Sequence, residues 1–394
     1  MDRRAFVKQT GMAGLGVMVS TSVLGAFEAH KLIGNTPISI GVIGTGSRGL
    51  GLIPVLNTIE NLNVTAVCDV LPFRLEKAKE LVDANVGVYA NYKKLLKHPN
   101  IDAVLIATPF HTHGEIALET LKEGKHIYCE KTLAKRIEDV DKLVDTVSKS
   151  NLIFQTGHQY HSSRLYKHVV KLIEDGEIGA VRSFECQWYR SGDWRRHVPE
   201  PKYERAINWR MYREYSGGMT AELSSHQIDF VNWVLGENPS KIMGTGGINF
   251  WNDGRETYDN THLIFEYPSG VKAQFKCLTS NIPGGYQVKV IGDKGVITIK
   301  TTKAWVKHYT WKSDKEYKNI DGVSGATKTT DYIPELGRPI EVEHLEPSKQ
   351  ALIDFRDAIY LNKQPISNVT TGANTAKAVH LAIEAMLSGE VQYW

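Results

Sequence analysis

The sequence predicts an α/β protein of two domains: a doubly wound parallel sheet over residues 36–155, and an α+β domain with a mainly antiparallel sheet over residues 156–394. In the first part, short apolar runs alternate with segments of helical spacing, which is typical of a parallel sheet with helices on both faces. In the second part, helical patterns are followed by strand-like runs that Gly and Pro turns separate. A length of 394 residues suits two domains, each with its own core.

The elements follow in order along the chain. In the first domain, apolar runs predict strands, and apolar residues at helical spacing predict the helices between them. The second domain has two early helices, then strands, and closes with two helices that we expect to pack back near the domain junction. The first-domain strands are predicted at 38–43, 64–68, 86–89, 103–107 and 126–129, and the helices at 74–82, 92–96 and 115–123. The second-domain helices are predicted at 164–175, 219–235, 347–361 and 372–387, and the strands at 183–189, 241–249, 261–267, 271–278, 286–291 and 296–300.

A glycine-rich turn follows the first strand, and an acidic residue ends the second. Glycines allow the backbone to approach a pyrophosphate closely, and the N-terminus of the next helix stabilises its negative charge. Asp69 is placed to accept hydrogen bonds from the adenosine ribose hydroxyls and to repel a 2′-phosphate, which favours NAD over NADP. Arg74, five residues later, leaves NADP open. The predicted cofactor residues of the turn are Gly44, Gly46, Ser47, Arg48 and Gly49.

Polar residues also follow two further strands of the predicted parallel sheet. Thr108 and Glu130 come directly after strands, at the edge where ligands of such sheets bind. Lys131 is next, and we expect it to point into the cleft between the domains, where an ammonium can hydrogen-bond a substrate hydroxyl. Glu130 is then placed either to hydrogen-bond the nicotinamide ribose or to hold Lys131.

The helix predicted at 219–235 carries a second candidate group of catalytic residues. Glu222, His226 and Asp229 are spaced i, i+4 and i+7, so a helix places them on one face. Such a face is typical of a metal site, of a general base with its orienting carboxylate, or of polar packing. Beside a nicotinamide site a base is required, because oxidation of an alcohol releases the hydroxyl proton as the hydride leaves. His226 is the predicted base, since imidazole titrates near neutral pH.

Composition and cysteine content exclude several classes of protein. A net charge of +3 argues against a nucleic-acid-binding protein. Neither an H-x-x-x-H spacing nor a Cys/His cluster occurs, so no metal is predicted. Cys68 and Cys129 end strands that lie three positions apart in a sheet of order 3-2-1-4-5. The two residues are then about 14 Å apart, which is too far for a disulfide bond. We expect four buried thiols, and a bond between Cys186 and Cys277 stays open.

The N-terminus is typical of a twin-arginine export signal, predicted over residues 1–30. Paired arginines at Arg3-Arg4 precede a mild apolar stretch at 11–27 that is rich in Gly, Ser and Thr. This stretch is too short and too interrupted to span about 30 Å of hydrocarbon, so we expect no stable membrane insertion. The predicted location is the periplasm.

Four motifs in this order resemble those of the Gfo/Idh/MocA oxidoreductase family. They are the glycine turn at 44–49, the segment Ala107–His113, Glu130-Lys131-Thr132, and a Gly-Gly pair followed by Ser225-His226-x-x-Asp229. The similarity covers about residues 36–390. The resemblance implies a Rossmann domain, a C-terminal domain with a large open sheet, NAD or NADP as cofactor, and sugar or cyclitol substrates. It also implies a homo-oligomer formed through the open sheet.

The resemblance assigns roles to single residues. Lys131 matches the catalytic lysine of the family, His226 its catalytic histidine, and Glu130 the residue at the nicotinamide ribose. The sequence departs from the family pattern at two positions. Thr132 stands where Pro is more frequent, and Glu222 stands where Asp is common, so Glu222 is included with the catalytic residues. The motif after the fourth strand places further residues at the cofactor, namely Thr108, Pro109, His111 and His113.

Polar and aromatic residues of the second domain are candidates for the sugar pocket. In the family, segments similar to residues 157–161 line the substrate site. The alternative is that these residues form a partly exposed loop. Trp209 and Arg210 are candidates for a platform under a pyranose ring, although Trp is equally typical of a core. The predicted substrate-binding residues are His158, Gln159, Tyr160, His161, Trp209, Arg210 and Asp229.

The predicted function is NAD-dependent oxidation of a secondary hydroxyl of a glycoside, at C3, to a keto-sugar. A partner lyase or hydrolase would use this product, and export favours a tightly held NAD that is regenerated in place. The alternatives are another sugar or cyclitol oxidoreduction, and an NAD-dependent glycosidase with transient C3 oxidation. A third alternative is a binding protein with an inactive cofactor domain, and retention of both Lys131 and His226 argues against it.

Overall fold

Residues 36–280, 285–309 and 336–394 are described by a computed structural model. The predicted export signal at residues 1–30 lies outside these ranges and stays a prediction. Within them, no helix is both long enough and apolar enough to cross a membrane.

The first sheet has six parallel strands in the order β3-β2-β1-β4-β5-β6, which confirms the predicted doubly wound sheet. Its central strands are buried on both faces, because helices cover each side. This explains their continuous apolar runs. The strands are β1 Ile38–Ile43, β2 Leu62–Cys68, β3 Gly87–Tyr89, β4 Ala103–Ile106, β5 His126–Cys129 and β6 Phe154–Thr156.

Five helices connect these strands. The second begins two residues before the predicted start, because Pro72 suits the first helical turn, where its missing N–H has no partner to lose. The fifth adds an element to those predicted, and it buries Val140, Leu143 and Val147 at helical spacing. The helices are α1 Ser47–Leu56, α2 Pro72–Lys79, α3 Tyr92–Leu96, α4 His113–Lys122 and α5 Ile137–Ser148.

The second sheet has nine strands in the order β14-β13-β12-β11-β7-β10-β9-β8-β15 among the described residues. β7 and β10 pair in parallel, and the other described pairs are antiparallel, which confirms a mainly antiparallel sheet. The strands are β7 Val181–Ser191, β8 Lys241–Gly247, β9 Asn260–Glu266, β10 Lys272–Ser280, β11 Tyr286–Gly292, β12 Gly295–Lys300, β13 Lys303–His308, β14 Arg338–Ile340 and β15 Gln392–Tyr393.

Helices cover one face of this sheet. In β9, Thr261, Leu263 and Phe265 are buried while His262 and Ile264 between them are exposed, so the opposite face is open to solvent. The buried face packs against helices of the second domain, among them the helix Ser225–Leu235. The predicted homo-oligomer through the open face stays a prediction. The helices of the second domain, not all of which touch the sheet, are α6 Arg164–Glu174, α7 Glu204–Ile207, α8 Ser225–Leu235, α9 Pro347–Leu361 and α10 Val369–Ser388.

The last two long helices contact the first domain. Phe355 of α9 packs edge-on against Tyr128 of β5, with ring centroids 5.8 Å apart. In α10, Gly372 lies so close to Thr156 that a Cβ would stand 2.4 Å from its methyl carbon. The four cysteines are buried thiols, as predicted, and Cys186 and Cys277 are not bonded to each other.

Candidate active site

The glycine turn after β1 is built as a cradle for an anion. Gly44 has a φ of +93°, which only glycine adopts at low cost. A Cβ on Gly49 would stand 1.9 Å from the carbonyl oxygen of Gly44, so α1 packs directly on the turn. No side chain caps the N-terminus of α1 at Gly46 and no acidic residue occupies its first turn. The backbone N–H groups of the first turn of α1 are therefore free to bind the pyrophosphate of NAD.

Asp69 is held at the end of β2 by backbone groups. Its carboxylate accepts hydrogen bonds from the N–H groups of Thr45, at 2.8 Å, and Leu71, at 2.9 Å. The nearest guanidinium nitrogen of Arg74 lies 3.9 Å away. Asp69 therefore joins the glycine turn to the start of α2, beside the place that an adenosine ribose takes in this fold.

Two adjoining cavities lie along this edge of the sheet. The main cavity, of about 750 Å³, lies between the two domains, and an adjoining cavity of about 800 Å³ lies beside α2. The first-domain wall of the main cavity includes Gly46, Ser47, Arg48, Arg74, Thr108, Pro109, His113, Glu130 and Lys131. Its second-domain wall includes Gln159, Tyr160, Trp188, Arg190, Arg196, Trp209, Arg210, Glu222 and His226.

Lys131 crosses from the first wall to the second. Its Nζ donates to the carbonyl oxygen of Glu222 at 2.7 Å. Burial lowers the pKa of Lys131, and the positive charges of Arg210 and Arg48 lower it further, against the opposite effect of Glu222 and Glu130. An ammonium of lowered pKa is a stronger hydrogen-bond donor and gives up its proton more readily.

The helix predicted at 219–235 begins differently from the prediction. Residues Thr220–Ser224 form a π-helical turn, and α8 continues from Ser225. This wide turn presents the carbonyl oxygen of Ala221 to the hydroxyl of Thr132, at 2.9 Å. Thr132 thus makes a bond that proline, more frequent at this position in the family, lacks the donor to make.

His226 lies in an aromatic part of the cavity. Its ring centroid is 5.1 Å from that of Tyr160, 5.8 Å from that of His158 and 5.9 Å from that of Trp188. Burial lowers the pKa of His226 well below its usual 6.5, and the charge of Lys131 adds to the effect. His226 is therefore neutral at neutral pH, as a proton acceptor must be.

Glu222 is paired with Arg210. The Arg210 Nε lies 2.7 Å from the Glu222 carboxylate, and its guanidinium stacks on Trp209 at 4.1 Å from the ring centroid. Burial raises the pKa of Glu222, but Arg210 and Lys131 outweigh it and lower the pKa overall. Glu222 is thus a fixed negative charge beside Lys131.

Glu130 is oriented by Arg48 rather than by Lys131. The Arg48 Nε lies 2.6 Å from the Glu130 carboxylate, and Gln159 donates to the same oxygen at 3.4 Å. Gln159 belongs to the second domain, so Glu130 is also a contact between the two walls. Its position at the end of β5 fits a hydrogen bond to the nicotinamide ribose.

Besides Gly44, Gly49 and Asp69, which lie beneath the cradle, four predicted site residues do not line the main cavity. Asp229 shares the helix with His226 but lies deeper, where it accepts from Thr375 at 3.1 Å and lies 2.9 Å from His161. His158 is fully buried behind His226. His111 packs on Tyr215 with ring centroids 4.7 Å apart. These residues lie behind the wall of the cavity, and Asp229 does so because its helix extends beyond the depth of the cavity.

His113, also predicted at the cofactor, has a structural contact on each ring nitrogen. Nδ1 lies 2.9 Å from the carbonyl oxygen of Thr132, and Nε2 lies 2.9 Å from that of Thr108. It therefore holds the segments after β4 and β5 together. Within the described ranges, no group of three or more His, Cys, Asp or Glu residues could hold a metal ion.

Three arginines of the second wall were not predicted, namely Arg190, Arg195 and Arg196. Arg190 follows Trp188 on the same face of β7, and Arg196 reaches Ser47 of the first domain. Alternation along the strand could have found Arg190, because residues i and i+2 share a face. No signal in the sequence indicates Arg196, whose partner is 149 residues away.

A dinucleotide cradle joined to a proton acceptor and a lysine defines a nicotinamide-dependent oxidoreductase. Family models match both halves of the chain: an oxidoreductase family with an NAD-binding Rossmann fold over residues 38–158, and a GFO/IDH/MocA C-terminal domain over residues 166–298.

The chain is also similar to known proteins. The chain is 32% identical over 267 residues to 2,7-anhydro-N-acetylneuraminate hydratase of Escherichia coli, covering 66% of this chain and 67% of the relative. It is 29% identical over 212 residues to myo-inositol 2-dehydrogenase of Thermotoga maritima, covering 53% and 58%. A structure of levoglucosan dehydrogenase in complex with NADH and levoglucosan matches with a TM-score of 0.70 at 20% identity, covering 91% and 99%.

The chain therefore belongs to the Gfo/Idh/MocA oxidoreductase family. It is an NAD-dependent sugar or cyclitol oxidoreductase.

Proposed function

We propose that the protein oxidises a secondary hydroxyl of a glycoside, at C3, to a keto-sugar. The observation that carries the proposal is the placement of the Lys131 ammonium and the neutral His226 imidazole on opposite walls of one cavity. A cavity of about 750 Å³ has room for a sugar and its aglycone beside the nicotinamide. Trp188 offers an apolar face on which a pyranose ring can stack, whereas Trp209 is buried beneath the Arg210 guanidinium.

The glycine turn, Asp69 and Glu130 would hold NAD, which would supply a nicotinamide ring as acceptor for the hydride of the carbinol carbon. The residues of this chain handle the proton and the charge. Lys131 donates a hydrogen bond to the hydroxyl oxygen and stabilises the negative charge that develops there. His226 accepts the hydroxyl proton. Glu222, paired with Arg210, keeps a negative charge next to Lys131 and so favours its ammonium form.

The location and the reaction partners complete the proposal. The twin-arginine pattern at residues 1–30 supports export to the periplasm in a folded state with NAD bound. A second sugar or keto product would then regenerate the cofactor in place, and a partner lyase or hydrolase would cleave the keto-glycoside. If the purified protein held no NAD and needed millimolar added NAD for turnover, the proposal of a tightly held cofactor would be wrong.

Two other reactions fit the same catalytic residues. A cyclitol or free-sugar oxidoreduction is supported by the similarity to a myo-inositol 2-dehydrogenase. An NAD-dependent glycosidase would oxidise C3 transiently, eliminate the aglycone and reduce the sugar again. The products distinguish these reactions.

The test is mass analysis of products after incubation with methyl glucosides, a disaccharide and myo-inositol, with a dye or keto-sugar as acceptor. The expected product is a glycoside two mass units lighter with its glycosidic bond intact. Oxidation of myo-inositol alone would favour the cyclitol reaction. Free sugar and aglycone without net oxidation would make the protein a glycosidase.

A further inference from the structure

A segment of the second domain passes over the cofactor edge of the first. Residues 193–207, here called the crossing segment, follow β7 and end with α7. The main cavity and the adjoining cavity both include Arg196 and Ile207 of this segment, together with Gly46, Ser47 and Arg74 of the first domain. The segment therefore divides one continuous cleft into two, at the level of the glycine turn.

The two cavities correspond to the two halves of a dinucleotide. The main cavity contains Lys131 and His226, so it takes the nicotinamide end. The adjoining cavity lies against α2, after Asp69, so it takes the adenosine end. A pyrophosphate linking them would lie where the two cavities meet, at Arg196 and the N-terminus of α1.

Arg196 is held firmly for this position. The side-chain amide of Asn208 accepts from the backbone N–H of Arg196 at 2.7 Å and donates to its carbonyl oxygen at 3.0 Å. Asn208 is buried and donates also to Glu204 at 3.0 Å. The guanidinium of Arg196 then reaches across the cleft and donates to the hydroxyl of Ser47.

Ion pairs anchor the start of the crossing segment to the rest of the second domain and join its start to its end. Arg195 lies 2.6 Å from Glu204 and 3.2 Å from Asp253. The buried Arg255 lies 2.6 Å from Asp193. On the adenosine side, Tyr203 packs edge-on against Phe73 of α2, with ring centroids 5.5 Å apart.

Arg196 lacks a negative partner in the described part of the chain. Its neighbours Arg48, Arg195 and Arg210 each have a carboxylate within 2.7 Å, but no carboxylate lies within ion-pair distance of Arg196. Burial lowers the pKa of Arg196, and the positive charges of Arg210, Arg74 and Arg190 lower it further. Arg196 is exposed to the cleft, where a cation among cations is stabilised by an anion, and a pyrophosphate carries two negative charges.

We propose that the crossing segment clamps bound NAD, with Arg196 as a pyrophosphate ligand supplied by the second domain, so that NAD leaves only when the segment moves. This inference rests on the NAD-dependent reaction stated above, but not on the choice of sugar. It gives a structural reason for a cofactor that stays bound through many turnovers.

The test is the rate at which bound NADH dissociates. NADH-loaded protein is mixed with excess NAD, and the decay of NADH fluorescence is followed. Arg196→Met is expected to raise the dissociation rate about 10- to 100-fold, as loss of a charge-assisted hydrogen bond does. Arg196→Lys, which keeps the charge, should stay closer to the wild type. Lys202→Met is the matched control, because Lys202 is an exposed residue of the same segment that pairs with Glu200.

A second measurement separates a clamp from a loss of structure. Arg196→Met should weaken binding of ADP-ribose, which contains the pyrophosphate, but not of adenosine, which does not. A dissociation rate within twofold of the Lys202→Met control would overturn the clamp while leaving NAD binding intact. Equal weakening of ADP-ribose and adenosine would also overturn it. A wild-type protein that binds no NADH would contradict the cofactor site itself.

Discussion

The two walls of the main cavity are built in different ways. The first-domain wall consists of strand ends and a glycine turn, and backbone groups hold it: Asp69 accepts from two N–H groups, and Gly49 lies against Gly44. The second-domain wall consists of side chains from several segments: the residues after β6, β7, the crossing segment with the two residues that follow Asn208, and α8 with the π-helical turn before it. Ion pairs such as Arg210 with Glu222 hold it.

The difference shows which kind of substitution each wall tolerates. In the first wall, a residue is positioned by its place in the chain after a strand, and backbone groups form the cofactor cradle. An added Cβ is therefore harmful there. In the second wall, a residue is positioned by partners distant in sequence, so the loss of a charge or ring is harmful. Lys131 belongs to the first wall but is held by the carbonyl of Glu222 from the second.

The largest expected effect is that of Lys131→Ala. Turnover should fall by about 10²- to 10⁴-fold, because a group that acts on the reacting hydroxyl is lost. Bound NAD should remain, since the glycine turn is untouched. Lys135→Ala is the control, because Lys135 does not line the main cavity. Steady-state rates with a saturating sugar measure this, and an unchanged rate would remove Lys131 from the mechanism.

His226→Gln tests the second wall in the same assay. Turnover should fall by about 10²- to 10³-fold, because glutamine keeps a similar shape but cannot accept the proton. His168→Gln is the control, at an exposed position of α6. If His226→Gln raised KM and left kcat unchanged, the residue would be a substrate contact rather than the base.

Gly49→Ala tests the backbone of the first wall. The free energy of unfolding should fall by about 2–3 kcal/mol, because a Cβ would overlap the carbonyl oxygen of Gly44. Gly51→Ala in the same helix meets no atom within 4 Å and should stabilise by about 0.5–1 kcal/mol. Urea unfolding of both variants is the measurement. Equal stabilities would show that the turn adjusts to the added carbon.

Asp69→Ala tests whether Asp69 recognises the adenosine ribose of the cofactor. The preference for NAD over NADP should fall about tenfold, as expected for the loss of one discriminating charged contact. Arg74, 3.9 Å from Asp69, would then face a 2′-phosphate without a competing carboxylate. Binding titrations with both cofactors measure the ratio. An unchanged ratio would place ribose recognition elsewhere.

The smallest expected effect is a dependence of stability on pH. Burial first, followed by nearby positive charge, lowers the pKa of His226 well below 6.5. Below pH 6.5 the unfolded chain therefore binds more protons than the folded one, and the free energy of unfolding falls as the pH falls. The contribution of one histidine is up to about 1.4 kcal/mol per pH unit.

Urea unfolding at pH 6.5 and 5.5 measures this dependence. The loss between the two pH values should be about 1 kcal/mol smaller in His226→Gln than in the wild type. The histidines behind the wall, such as His158, keep their own contribution in both proteins. An identical loss in both would mean that His226 titrates normally in the folded state.

Much of the first wall could be predicted from the sequence. Gly44, Asp69 and Glu130 each follow a recognisable strand, and the carboxyl ends of parallel strands meet at one edge. Lys131 was predicted for the same reason. In the second domain, helical spacing predicted that Glu222 and His226 would lie together. It also grouped Asp229 with them, although the cavity ends before that residue.

The sequence by itself determined the fold class, the cofactor cradle and the placement of Glu222 and His226 on the same side of their helical segment. These features depend on local periodicity and on glycines at fixed positions. Only the tertiary structure decided which residues complete the second wall. Arg196 meets Ser47, and Arg48 meets Glu130, across 149 and 82 residues of chain. Such pairs form because each buried or partly buried charge needs a polar partner, and the fold, not the local sequence, brings that partner within reach.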